Sequence, residues 1–132
     1  MANKVGEDVA KIMVVDDEPE NQLLISVILT NEGHEVTAVD EGTQVVARAS
    51  REQPDLILLD VMMPDLNGFR VFEALRAADA TRHIPVLMLS ALTQRWDVEK
   101  AVKLGVDDYL TKPFEPDDLV ARVKSNLARS PA

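Results

Sequence analysis

A doubly wound α/β domain built on a five-stranded parallel sheet is the fold predicted for this 132-residue chain, and two observations predict it. Five short runs rich in branched apolar residues alternate with segments whose apolar residues recur at helical spacing. The runs are almost unbroken in apolar residues, as strands are when helices cover both faces of a parallel sheet.

The first run is Ile12, Met13, Val14 and Val15, and it ends in the acidic pair Asp16 and Asp17. Over about 18–31, Leu23, Leu24, Val27 and Ile28 recur at the spacing of an amphipathic helix. Pro19 suits its first turn and Gly33 its end. Val36, Thr37, Ala38 and Val39 alternate more, as a less buried strand would, and a helix over about 42–50 turns Val45, Val46 and Ala49 inward.

Pro54 breaks the chain before Leu56, Ile57, Leu58 and Leu59, the most apolar run and so the expected central strand. It too ends in an acid, Asp60. Residues 62–68 read as a loop with Asn67 as N-cap, and Phe69, Phe72 and Leu75 line one face of the next helix. Pro85, Val86, Leu87, Met88 and Leu89 form the fourth strand, ending at Ser90. A fourth helix over about 93–104 stops at Gly105. Tyr109 and Leu110 make a short fifth strand, followed by Thr111, Lys112 and Pro113. Leu119, Val123 and Leu127, each four apart, are the buried stripe of a fifth and last helix.

Right-handed crossovers leave a (βα)5 chain few wirings, and the 2-1-3-4-5 strand order matches best. One domain is expected over residues 10–128, with a flexible segment at 1–9 and a short tail at 129–132. A chain of this length can bury roughly two thirds of its unfolded surface and needs no staple. Cysteine is absent, which removes disulfides, thiolate metal sites and thiol chemistry and fits a reducing cytoplasm. A net charge of −9 with no Lys/Arg cluster argues against direct nucleic-acid binding. No apolar run approaches the ~18 residues of a membrane span, and the first residues are too polar for a signal peptide, so no membrane association is expected.

In a parallel sheet all strands end on one side, and ligands bind there, at the switch point between the first and third strands. That edge should gather Asp16 and Asp17 after the first strand, Asp60 after the third, Ser90 after the fourth and Lys112 past the fifth. Three carboxylates so close repel one another unless a cation intervenes, and a hard divalent ion such as Mg²⁺ suits carboxylate, water and phosphate oxygens. Asp60 could then act as a nucleophile toward a phosphoryl group, with Lys112 supplying charge and Ser90 a hydroxyl donor. Each residue alone reads blandly: an acid at a strand end caps a helix, a Lys beside a Pro lies at the surface. Their joint placement is what points to a phosphoacceptor site.

The stretches Val14-Val15-Asp16-Asp17-Glu18, Asp55 to Pro64 through Asp60, Gly68, Ser90-Ala91 and Gly105 to Phe114 through Tyr109 and Lys112 carry a family resemblance. The chain resembles a response-regulator receiver domain of two-component signal transduction over nearly its whole length, about 11–127. The flavodoxin-like strand order is the known one for that family. The resemblance implies that Asp60 takes a phosphoryl group from the phosphohistidine of a histidine kinase or phosphotransfer protein. It implies Mg²⁺ held by Asp17, Asp60 and the backbone carbonyl of Met62, with Asp16 acting mainly through water. Lys112 would pair with the phosphate, the Lys112–Pro113 bond would be cis, and Ser90 and Tyr109 would be the switch pair.

The surface of the fourth helix, fifth strand and fifth helix, carrying Trp96, Lys100, Lys103 and Tyr109, would be the partner-binding face. The output would be a downstream protein target or a C-terminal output domain missing from this chain, and a phosphorylation-dependent homodimer is compatible with the pattern. The domain would phosphorylate and dephosphorylate itself in the cytoplasm rather than turn over a substrate. Two other function classes fit the residues less well. An Asp-nucleophile phosphatase of haloacid-dehalogenase type carries a second Asp two residues after the nucleophile, where this chain has Met62. A flavodoxin-like cofactor binder wants a phosphate-cradling loop where this chain has Asp16, Asp17 and Glu18. His34 and His83 have no paired ligand in sequence and read as loop residues.

Overall fold

Side chains alternate across a strand, so a strand without a polar member has to be covered on both faces. The computed structural model describes residues 9–61, 68–90, 103–111 and 114–128. Its strands are β1 (Lys11–Val15), β2 (Glu35–Val39), β3 (Leu56–Asp60), β4 (Val86–Ser90) and β5 (Asp108–Thr111), all parallel in the order β2-β1-β3-β4-β5. The described helices are α1 (Pro19–Asn31), α2 (Val45–Glu52), α3 (Gly68–Ala77) and α4 (Pro116–Ala128), the last being the fifth helix of the sequence reading. The helix expected over about 93–104 falls mainly outside the described residues, as do Met62, Asn67, Trp96, Lys100, Lys112, Pro113 and the side chain of Ser90.

Two cores follow from the alternation. Met13, Val15, Ile57, Leu59, Val86 and Met88 face α2 and α3, where they meet Val45, Ala49, Phe69, Phe72 and Leu75. Ile12, Val14, Leu56, Leu58, Leu87 and Leu89 face the other way, toward Ile25 and Leu29 of α1 and Leu119 and Val123 of α4. All five residues of β3 are buried, as its composition predicts for the central strand. Polar side chains tie the layers together. Arg76 of α3 donates to the Ile84 carbonyl (2.8 Å) and to Asp107 Oδ2 (2.5 Å), which also accepts from the Val86 N–H (3.0 Å). Asp108 at the start of β5 binds Arg122 (2.6 Å) and the buried Asn126 (3.1 Å) on α4.

The face that α1 buries differs from the sequence reading. The spacing of Leu23, Leu24, Val27 and Ile28 did predict the helix, but the residues sealed against the sheet are Ile25 and Leu29. Leu23, Leu24 and Val27 are 66%, 54% and 49% exposed, and Ile28 is only partly covered. At 3.6 residues per turn, apolar residues from Leu23 to Leu29 sweep an arc of about 240° around the axis. One sheet cannot cover an arc that wide, and the remainder stays in water. His34 lies in the connection between α1 and β2, as expected of a loop residue, but it is buried there, and its Nδ1 accepts the Ala10 N–H (3.1 Å), a structural bond that pins the start of β1.

Candidate functional site

The parallel register puts the strand ends level. Val15 pairs with Leu59, and Asp60 stands opposite Leu89, so the acids after β1 and at the end of β3 meet at one edge. Carboxylate oxygens of Asp16, Asp17 and Asp60 all lie within 4.8 Å of one another. Asp16 and Asp60 are buried, while Asp17 is partly open.

Local bonds hold this arrangement. Asp16 Oδ1 accepts the Glu18 N–H (2.9 Å), which turns the chain into α1 just before Pro19. Gln22, one turn into α1, donates through Nε2 to the carbonyls of Asp16 (2.7 Å) and Val39 (2.9 Å), and the Asp16 N–H donates to Val39 as well (3.1 Å). Gln22 is a residue that sequence reasoning missed. A Gln on an exposed helix is unremarkable until the fold brings two strand-end carbonyls to it. Beyond Asp60, the Val61 N–H continues the ladder to Leu89 (3.1 Å), and the Val61 carbonyl accepts the Gly68 N–H (3.0 Å).

Of the other expected site residues, Ser90 ends β4 opposite Thr111, the last residue of β5, so its backbone reaches the same edge. Lys112 follows Thr111 directly in the chain but lies outside the described residues, with Met62 and Pro113. Tyr109 is partly buried and packs on the core cluster of the α2–α3 face. A cleft of about 250 Å³ lined by Lys11, Glu35, Glu52 and Pro54 sits at the opposite ends of the strands and takes no part in this site.

Three oxygen-donor carboxylates, with no thiol or imidazole among them, fit a hard divalent cation such as Mg²⁺. A family model described as "Response regulator receiver domain" matches residues 12–124. The chain belongs to the response-regulator receiver domain family. The receiver is 45% identical over 119 residues to regulatory protein VanRc of Enterococcus gallinarum, covering 90% of this chain and 50% of that protein. It is 42% identical over 120 residues to the DNA-binding dual master transcriptional regulator RpaA of Synechocystis, covering 91% and 50%. The chain thus spans about half the length of the curated relatives it matches.

Among solved structures, the receiver domain of sensor histidine kinase PA1611 from Pseudomonas aeruginosa superposes with a TM-score of 0.82 at 34% identity, over 90% of this receiver and 98% of that chain. That structure has a magnesium ion coordinated in its active-site cleft. Chemotaxis protein CheY4 of Vibrio cholerae superposes equally well (TM-score 0.82) at 30% identity, over 89% and 98%. The receiver is accordingly a signalling domain of two-component systems. No helix among its described residues is long and apolar enough to cross a membrane.

Proposed function

We propose that Asp60 is the phosphoacceptor of this receiver and that Mg²⁺ is held beside it by Asp17 and Asp60 directly, with Asp16 acting through water. The observation that carries this reading is the convergence of the three carboxylates within 4.8 Å at the carboxyl edge of the sheet. Bound Mg²⁺ supplies charge neutralisation for an incoming phosphoryl group. The chain's own residues do the rest. Asp60 presents its carboxylate oxygen as nucleophile, Glu18 and Gln22 hold Asp16 in place, and Lys112 and Ser90 are the groups expected at the phosphoryl oxygens. Met62 would add a backbone carbonyl to the metal, and Pro113 would follow Lys112 through a cis bond.

Incubation with acetyl phosphate and Mg²⁺ tests this. Intact-mass measurement should find one added phosphoryl group per chain and none when EDTA is present. Continuous release of phosphate, with no modified chain accumulating, would instead point to the haloacid-dehalogenase type of phosphatase. An equal mass gain in EDTA would remove the metal from the reading.

The physiological donor in this reading is a phosphohistidine on a histidine kinase or phosphotransfer protein, and α1 is where it would dock. Leu23, Leu24 and Val27 form an exposed apolar stripe on α1, which begins at Pro19, two residues after Asp17. Replacing all three by Ser is expected to slow phosphotransfer from a cognate protein donor at least tenfold, since truncated anchors at the centre of an interface cost about 2 kcal/mol or more. Labelling by acetyl phosphate should stay within about twofold of the parent, because no contact to Asp60 changes. Equal slowing with both donors would refute the docking role.

Phosphorylation would then be read out through Ser90 and Tyr109 at the face formed by β5, α4 and the helix expected before them, by a downstream protein, an output domain or a second copy of the receiver. Converting a mostly inactive population into a mostly active one requires about 5.5 kcal/mol of differential interaction. Two or three charge-assisted hydrogen bonds of roughly 1.5–3 kcal/mol that form only in the phosphorylated state are sufficient. The net charge of −9 supports a receiver that leaves nucleic-acid contact to another part of a longer protein, as in relatives named DNA-binding that are about twice the matched length.

A further inference from the structure

Gly68 opens α3, and its φ is not in the left-handed region that Gly33 and Gly105 occupy. Conformational freedom therefore does not explain a glycine there. Space does. A Cβ at position 68 would stand 2.5 Å from the Asp60 carbonyl oxygen and 2.6 Å from the Val61 Cα. Both are backbone atoms, so no side-chain rotation can relieve the clash. Ordinary van der Waals contact begins near 3.4 Å, and the first turn of α3 would have to move about 1 Å from the Asp60–Val61 peptide. The backbone here is held from two sides: the N–H of the Asp60–Val61 peptide donates to Leu89 of β4 (3.1 Å), and the Val61 carbonyl, in the next peptide, accepts the Gly68 N–H (3.0 Å). The seat of α3 on β3 is thus made at the residue that the site uses.

We propose that Gly68 is a positioning residue for phosphoryl transfer: its missing side chain lets α3 seat on the Asp60–Val61 peptide, and that seat sets where the Asp60 carboxylate stands relative to Asp16 and Asp17. The proposal rests on the reading of Asp60 as phosphoacceptor. A reacting group displaced by about 1 Å loses up to about 100-fold in rate. Groups that orient metal ligands typically change metal affinity by 10–100-fold when altered. Gly68→Ala should therefore slow acetyl-phosphate labelling by about 10- to 100-fold at saturating Mg²⁺, and weaken Mg²⁺ binding about tenfold by titration calorimetry.

Gly33→Ala separates positioning from stability. Gly33 has φ +93°, so an alanine there is strained, and it lies just before β2, at the amino end of the sheet. It should lower the melting temperature while leaving labelling rate and Mg²⁺ affinity unchanged. Parent-like rate and affinity in a folded Gly68→Ala protein would overturn the proposal, as would equal losses in Gly33→Ala.

If Gly68→Ala does not fold, amide exchange on the unaltered chain decides. Linkage is reciprocal, so occupation of Asp60 by beryllofluoride must stabilise the seated form and slow exchange of the Gly68 N–H about tenfold. Unchanged exchange there overturns the proposal. An Asp60→Asn arm keeps the two readings apart: if that protein takes label as readily as the parent, the assignment of Asp60 fails and the role of Gly68 in transfer falls with it. If only Gly68→Ala behaves like the parent, Asp60 stands and Gly68 falls alone.

Discussion

Asp60→Asn is expected to reduce phosphoryl uptake from acetyl phosphate or a phosphorylated kinase to background, a loss on the order of 10³-fold or more. The amide keeps the shape of the side chain but cannot be esterified, and Asp16 and Asp17 cannot substitute because Asp16 is buried and bonded to Glu18 while Asp17 faces the metal position in the proposed arrangement. The same change should move stability in the opposite direction. Without a cation, three carboxylates within 4.8 Å repel one another. At an effective dielectric constant of 20 a pair at that distance costs about 3 kcal/mol, and solvent around Asp17 reduces this to about 1 kcal/mol. Removing one charge should therefore raise the melting temperature of the metal-free protein by about 4 °C. The parent should gain stability on adding Mg²⁺, and the variant much less. Thermal melts with and without Mg²⁺, run beside labelling, check both signs. A variant less stable than the parent without metal would mean that something other than repulsion governs the cluster.

Leu58→Ala is expected to destabilise the domain by about 2–5 kcal/mol, a large share of the 5–15 kcal/mol typical of a whole domain. Leu58 is fully buried in β3, paired with Val14 on one side and Leu87 on the other. Truncating it leaves a cavity between the sheet and the helices α1 and α4, where close packing on every side prevents collapse. Leu23→Ala, the same substitution on α1, should cost less than about 0.5 kcal/mol because Leu23 is 66% exposed. Urea denaturation of the two variants measures the contrast. Similar midpoints would show that the Leu23 side chain is covered in solution.

That contrast separates what is local in the sequence from what is not. Leu23 and Leu58 are the same residue, both in apolar runs, and their pattern assigns both to elements correctly. Nothing local told which side of α1 would be turned to the sheet, because its apolar arc is wider than any one contact. The acids were legible for a different reason. Asp16 and Asp17 directly follow β1 and Asp60 ends β3, and in a parallel sheet strand ends must share an edge. Topology brought them together without any knowledge of distance. Gly68 was legible as part of a family motif, but not as a contact. Its meaning depends on how closely the backbone of α3 approaches that of β3, where a Cβ would stand 2.5 Å from the Asp60 carbonyl oxygen. Gln22 and His34 were not legible at all, since their partners, Val39 and Ala10, lie 17 and 24 residues away.

By itself, then, the amino-acid order determined five strands, their parallel wiring and the gathering of three carboxylates at one end. These follow from alternation, helical period and the handedness of crossovers, which are properties of short segments. Only the tertiary structure decided how near the acids come, which stripe of α1 remains in water, and that α3 rests on the peptide of Asp60. Those depend on where segments far apart in the chain make contact, and close packing makes such contacts sensitive to single atoms.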